Sequence, residues 1–214
     1  MNSNEILSKI DHTVLSATAT TEDVRKICEE AVKYGTASVC IPPAYIKWAR
    51  ENFPALNLCT VIGFPLGYNT TAVKVFETGN AVIDGADEID MVINLGFVKD
   101  KKFDKITEEI SAVKKACGGK LLKVIIETCY LTDDEKKELC KCVTDAGAEY
   151  IKTSTGFGTK GAELSDIEIF KNNIGENVKI KAAGGIRTKE DMENFIEAGC
   201  DRIGTSKASI LFSE

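Results

Sequence analysis

Short apolar runs and longer amphipathic stretches alternate along the whole chain. The runs are HTVL (12–15), ASVCI (37–41), LCTVIGF (58–64), EIDMVIN (88–94), LLKVIIET (121–128), YIKTS (150–154), VKIKAA (178–183) and RIGTS (202–206). Each has the length and the β-branched content of a buried strand. The stretches between them carry helical periodicity. In TTEDVRKICEEAVKYG (20–35), Val24, Ile27, Cys28 and Ala31 follow the i, i+3, i+4, i+7 stripe of a helix packed on one face. Capping-box spacings mark helix starts at Thr132 with Glu135, Ser165 with Glu168, and Thr188 with Asp191. Strands that alternate with helices pair in parallel through crossovers. The pattern predicts an α/β protein, a (β/α)8 TIM barrel formed as a single domain over residues 1–214, with an open doubly wound sheet as the alternative.

The helix-to-strand junctions repeat one another. YGTASVC (34–40), DGADEIDMVIN (84–94), AGAEYIKTS (146–154) and AGCDRIGTS (198–206) each place a glycine where a helix ends. Five residues beyond Gly35, Gly85, Gly147 and Gly199 stand Cys40, Asp90, Lys152 and Gly204. Equivalent junctions put these four on one side of the sheet, while Ile89, Met91, Ile93 and Ile151 take the side under the helices. An acid and a lysine are thereby expected to face the barrel interior together. VKIKAA adds Lys179 and Lys181 on one parity, and Lys181 is the nearer to the carboxyl end, where such barrels carry their chemistry. Lys123 lies closer to its strand's start and reads as structural.

Composition narrows the function classes. The chain has 214 residues, 43% hydrophobic and 28% charged, with a net charge of -6. That acidity argues against nucleic-acid and anionic-membrane partners, and no apolar run approaches the ~20 residues of a membrane span. The amino terminus shows no secretory signal, so a cytoplasmic location is expected. Eight cysteines without a CxxC pair, and a lone histidine, His12, fit reduced thiols rather than disulfides or a zinc centre. No metal and no cofactor is expected.

A lysine two residues into a buried strand needs a reason. Burying its ammonium is costly unless the charge is paired or the amine is neutral. A neutral lysine is a nucleophile for carbonyls, and the iminium it forms withdraws electrons as a metal ion would. Lys152 is the candidate nucleophile, Lys181 a second ammonium that favours the neutral amine, and Asp90 a proton relay. The plain alternative is an internal Lys–Asp–Lys salt network with no chemistry. Phosphate handling is expected in the loops AAGGIRT (182–188) and GTSKAS (204–209), where glycines admit backbone N–H groups and helices begin. Gly156 and Gly158 are further candidates, and Arg187 suits either phosphate or a carboxylate.

KTSTGF (152–157), KAAGGIRT (181–188), GFPLG (63–67), DGADEIDMVIN (84–94) and LLKVIIET (121–128), with IDHTVL (10–15) and RIGTS (202–206), closely resemble the deoxyribose-phosphate aldolase family across nearly the whole chain. The resemblance implies a class I, metal-free aldolase that interconverts 2-deoxy-D-ribose 5-phosphate with acetaldehyde and D-glyceraldehyde 3-phosphate. It implies Lys152 as the Schiff-base lysine, Lys181 as its catalytic neighbour and Asp90 as the relay acid. Asp11, Thr13 and Cys40 are implied as supporting residues, and Gly156, Gly184, Gly185, Gly204 and Ser206 as phosphate contacts. The partners implied are a phosphorylated sugar and small aldehydes, with a homodimer paired through outer helices. Departures from the family pattern are Pro42, Lys160 and Lys207, and a chain end at Glu214 without the terminal tyrosine of some relatives; the chemistry is expected to survive them. Rival readings are another Schiff-base barrel, such as a keto-acid aldolase or a transaldolase, and a non-catalytic phosphate-binding barrel.

Overall fold

The computed structural model describes residues 1–212; Ser213 and Glu214, and with them the question of the missing terminal tyrosine, lie outside the described residues. Eight parallel strands close into a barrel in sequential order. They are β1 (Ile10–Thr13), β2 (Ser38–Ile41), β3 (Leu58–Ile62), β4 (Glu88–Val92), β5 (Leu121–Ile125), β6 (Tyr150–Lys152), β7 (Lys179–Ala183) and β8 (Arg202–Thr205). The crossover helices are α1 (Thr21–Tyr34), α2 (Ile46–Asn52), α3 (Thr71–Ile83), α4 (Phe103–Ala116), α5 (Asp133–Asp145), α6 (Leu164–Asn173) and α7 (Lys189–Ala198). This is the predicted (β/α)8 fold. No described helix is long and apolar enough to cross a membrane.

Two cores follow from the strand alternation. The outward residues Val39, Ile89, Met91, Val124, Ile151, Ile180 and Ile203 pack under the helices against Val24, Ile110, Val113, Leu139 and Phe170. A smaller cluster of Cys40, Cys59 and Val61, covered by Leu15 and Phe64, fills part of the barrel interior. The rest of the interior is charged: Asp11, Glu88, Asp90, Lys123, Lys152 and Lys181 are all buried. Barrel interiors are usually layers of branched aliphatics, so this one carries a cost that asks for an explanation.

Several boundaries differ from the sequence reading. The first strand is Ile10–Thr13 rather than 12–15, which leaves Val14, Leu15 and Ser16 to wall the barrel mouth. β3 ends at Ile62 because Gly63 turns the chain with φ 62°, a left-handed conformation that glycine adopts without strain. β6 stops at Lys152, so Thr153 to Thr155 already belong to the loop above it. The caps at Thr132 and Thr188 form as expected, but Ser165 caps nothing. α6 begins at Leu164 behind an extended Glu163, placing Ser165 inside the first turn. Cys40, Asp90, Lys152 and Gly204 face inward, yet they are not level. Asp90 pairs with Lys123, whereas Lys152 pairs with Ile125 two residues further up β5. The stagger is that of a closed, tilted barrel.

Candidate active site

Lys152 is the last residue of β6 and Lys181 its register partner on β7. Both donate to one oxygen: Lys152 Nζ to Asp90 Oδ2 at 2.7 Å, and Lys181 Nζ to the same atom at 2.7 Å. The other carboxylate oxygen, Oδ1, accepts from Lys123 Nζ at 2.9 Å and from the Cys59 thiol at 3.2 Å. Asp90 is therefore a shared acceptor for three ammonium groups. Lys181 also pairs with Asp11 Oδ2 at 2.5 Å. Lys123 pairs with Glu88 and lies 3.6 Å from Asp11. Arg202 closes the network from β8 by pairing with Asp11 and with Glu88, the latter at 2.9 Å.

The charges in this cluster do not cancel. Asp11, Glu88 and Asp90 supply three negative charges, and Lys123, Lys152, Lys181 and Arg202 four positive ones, a surplus of one. Burial pushes the Asp90 carboxyl up, but Lys123, Lys152 and Lys181 outweigh it and hold the group well below the usual carboxylate range. Asp11 is held low in the same way by Lys181, Lys123 and Arg202 against its burial. Burial works against the ammonium of Lys181, yet Asp11 and Asp90 raise its proton affinity above that of an ordinary lysine. Lys123 is raised too, with Asp90 the first carboxylate to offset burial.

The position of Lys123 needs a correction. The sequence reading sets it aside as a structural lysine near its strand's start, but it is the middle residue of β5 and bonds to Asp90 directly. Its pairing with Asp90 across the β4–β5 ladder is set by the register of the closed barrel, which parity within a strand does not give. Cys59, Glu88 and Arg202 were not singled out, and all three bond into the cluster. Cys40 lies beside Cys59 as its register partner and is fully buried. The neighbouring Cys59 thiol outweighs burial and lowers the Cys40 thiol, whereas burial raises Cys59.

Above the cluster opens a cavity of about 610 Å³ lined by Lys152 and by Thr13, Thr155, Gly156, Gly184, Gly185, Gly204 and Ser206. Of the three interior lysines, Lys152 is the one on its wall. Thr13 donates its hydroxyl to the Asp11 carbonyl at 2.7 Å. Gly184 turns with φ 83°, and a Cβ there would stand 3.1 Å from Gly161 Cα and 3.3 Å from Gly156 Cα. Three backbone segments thus meet where only glycine allows the approach. Gly204 has a different use, because a Cβ on it would meet Lys181 Cε at 3.1 Å. Arg187 and Lys207 reach the same wall and add positive charge.

Two sets of metal-ligand atoms come together among the described residues, Cys40–Cys59–Asp90 and Asp11–Cys59–Glu88. Each carboxylate in them already pairs with lysine or arginine. An entering divalent cation would have to displace ammonium groups, so the donor set suits amine chemistry better than a metal.

Comparison with known proteins identifies the family. The family model described as DeoC/LacD family aldolase matches residues 6–208. A deoxyribose-phosphate aldolase of Clostridium botulinum (strain Alaska E43 / Type E3) is 60% identical over 209 residues, covering 97% of this chain and 95% of its own. One from Clostridioides difficile (strain 630) is 57% identical over 202 residues, covering 94% and 92%. The tetrameric deoxyribose phosphate aldolase of Aeropyrum pernix superposes with a TM-score of 0.91 at 34% identity, over 99% of this chain and 92% of that one. Matched over nearly its full length by sequence and by fold, this chain belongs to the DeoC/LacD aldolase family.

Proposed function

We propose that the chain is a class I deoxyribose-phosphate aldolase, cleaving 2-deoxy-D-ribose 5-phosphate reversibly to acetaldehyde and D-glyceraldehyde 3-phosphate through a Schiff base on Lys152. The observation that carries this reading is the single Asp90 oxygen shared by Lys152 and Lys181 beneath the cavity. Among the described residues, Lys181 and Lys123 each form ion pairs with two or more carboxylates, whereas Lys152 forms one, with Asp90. Lys152 is also the one of the three on the cavity wall, where its amine meets the substrate. That amine attacks the aldehyde carbon of the open-chain sugar, and water leaves to give an iminium. The C3 hydroxyl then loses its proton toward the Asp90–Lys181 pair. The C2–C3 bond breaks with its electrons drawn into the iminium, leaving an enamine on Lys152 and releasing the phosphorylated aldehyde.

The phosphate lies in this reading against the backbone of Gly156, Gly184 and Gly185, with Ser206 at the rim and Arg187 and Lys207 supplying charge. Gly204 contributes by making room for Lys181. The whole chain acts as one domain and works in the cytoplasm, where its eight free thiols stay reduced. A second copy of the chain covers the apolar outer face of α3 and the loop before it, where Leu66, Tyr68, Phe76 and Ile83 are exposed by 59%, 69%, 71% and 83%.

A retro-aldol assay on 2-deoxyribose 5-phosphate, coupled to reduction of the released aldehyde, tests the reading. Activity that is unchanged by EDTA is expected. No turnover, or turnover lost to EDTA and restored by zinc, would contradict it.

A further inference from the structure

We propose that Thr155 and Glu127 form the couple that moves a proton on and off the donor carbon of the Lys152-bound imine, the hydroxyl meeting the carbon and the carboxylate acting through it. The proposal rests on the Schiff-base reading above. It concerns a step that the Asp90 cluster leaves open. The enamine left by cleavage must gain a proton on carbon before acetaldehyde can depart, and in the synthetic direction the same carbon must lose one.

Glu127 follows β5 with φ 52° and ψ 67°, a left-handed backbone that a glutamate adopts only when its surroundings hold it there. The ladder holds it on both sides, with Ile126 N donating to Lys152 O at 3.1 Å and Thr128 N to Thr153 O at 2.9 Å. The side chain is 3% exposed, and Oε1 accepts the Thr155 N–H at 3.1 Å. Oε2 accepts the Thr155 hydroxyl in a short hydrogen bond. Gly158 keeps the loop down on this carboxylate, since a Cβ there would stand 2.7 Å from Cys129 Sγ and 3.2 Å from Glu127 Cδ.

Thr155 lies on the cavity wall with Lys152, three residues further along the chain. Its hydroxyl gives its proton to Glu127 and accepts the Phe157 N–H at 3.0 Å. A hydroxyl oxygen has two lone pairs, so one remains after Phe157 has taken the other. The environments of the two carboxyls at this end of the barrel are opposed. Asp90 is held ionised by three ammonium groups and is the base of the pair. Burial raises Glu127 above its ordinary value, with the Thr155 hydrogen bonds and Lys152 offsetting only part of the rise. Carboxyls pushed apart in this way divide acid and base work.

The step balances. The free Thr155 lone pair takes a proton from the methyl carbon of the iminium as the hydroxyl proton passes to Glu127. The C–H electron pair becomes the C=C bond, and the C=N electrons return to nitrogen. Running backward, protonated Glu127 restores the Thr155 hydroxyl proton as that hydroxyl protonates the enamine carbon.

Deuterium uptake tests the proposal. The full-length protein is incubated with acetaldehyde in D2O, methyl deuteration is followed by NMR, and imine capture is measured in parallel with borohydride. Glu127→Gln and Thr155→Val are expected to slow methyl exchange about a hundredfold while capture on Lys152 stays within about twofold, the size expected for losing one acid–base group. Thr155→Ser should restore exchange to near the wild-type rate. Wild-type exchange in Thr155→Val or Glu127→Gln overturns the proposal. So does a Thr155→Ser variant as slow as Thr155→Val, or a parallel loss of capture and exchange, which marks a pair that only staples the loop. A wild-type protein that captures no acetaldehyde on Lys152 overturns the Schiff-base reading and this proposal with it. Capture without Glu127-dependent exchange overturns this proposal alone.

Discussion

Lys152 and Lys181 stand side by side across the β6–β7 ladder with their ammonium groups on the same oxygen of Asp90. Two cations meet there at one acceptor in a buried barrel interior, and the pair differs in what else holds it. Lys181 has Asp11 as a second carboxylate, while Lys152 faces the cavity. Similar residues are thereby given different surroundings.

Lys181→Leu tests that division. The substitution removes one of the two ammonium groups on Asp90 Oδ2 and changes four positive charges against three negative ones to three against three. Imine formation with acetaldehyde should slow about tenfold or more at neutral pH and recover as pH rises. Trapping rates measured across pH would show this. A wild-type rate and pH profile would mean that the charge of Lys181 does not tune its neighbour.

Asp90→Asn is expected to separate binding from cleavage. Three buried ammonium groups lose their shared anion, which should destabilise the fold by about 3–5 kcal/mol in chemical denaturation. Lys152 itself is unchanged on the cavity wall, so imine trapping should persist. Cleavage of the C2–C3 bond should fall by at least about a hundredfold in the coupled assay, because the C3 hydroxyl has lost its acceptor.

Stability should depend on pH in a direction that the cluster dictates. Asp90 and Asp11 are depressed below 3.8 in the folded state, so their contribution is present above that value and is lost as pH falls below it. Lys181 is raised above 10.5, so its contribution is complete below that value and fades as pH climbs past it. Thermal melting should show a plateau between these limits. In Asp11→Asn the acid limb should flatten by up to ~1.4 kcal/mol per pH unit, the equivalent of one proton. An unchanged acid limb would count against the assigned role of Asp11.

The phosphate assignment predicts a difference between substrates. Gly185 turns with φ 78° on the cavity wall, so Gly185→Val should distort the backbone there. Ser206→Asp should add repulsion at the rim. Both should raise KM for deoxyribose phosphate far more than for deoxyribose, by roughly tenfold or more for a lost charge-assisted contact. Equal effects on both sugars would move the phosphate elsewhere.

Much of this site was legible along the chain because strand alternation is local. Parity from Gly85 and Gly147 was enough to turn Asp90 and Lys152 inward, and position near a strand end was enough to prefer Lys181 to Lys179. What could not be read depends on how the barrel closes. Asp11 meets Gly204 only because β1 pairs with β8, and that closure brings Arg202 to Asp11 and Glu88. The stagger that sets Lys123 opposite Asp90 is likewise a property of the closed sheet. Glu127 escaped because nothing in KVIIET announces a left-handed backbone. Ser165 misled because a capping spacing says nothing about where the preceding loop releases the helix.

The central claim is that Lys152, among three buried lysines on one aspartate, is the nucleophile. Borohydride reduction in the presence of acetaldehyde, followed by peptide mapping, tests it most directly. One ethyl group on Lys152, absent from Lys152→Leu at every pH, is the result this mechanism predicts. An ethyl group on Lys123 or Lys181 would contradict it.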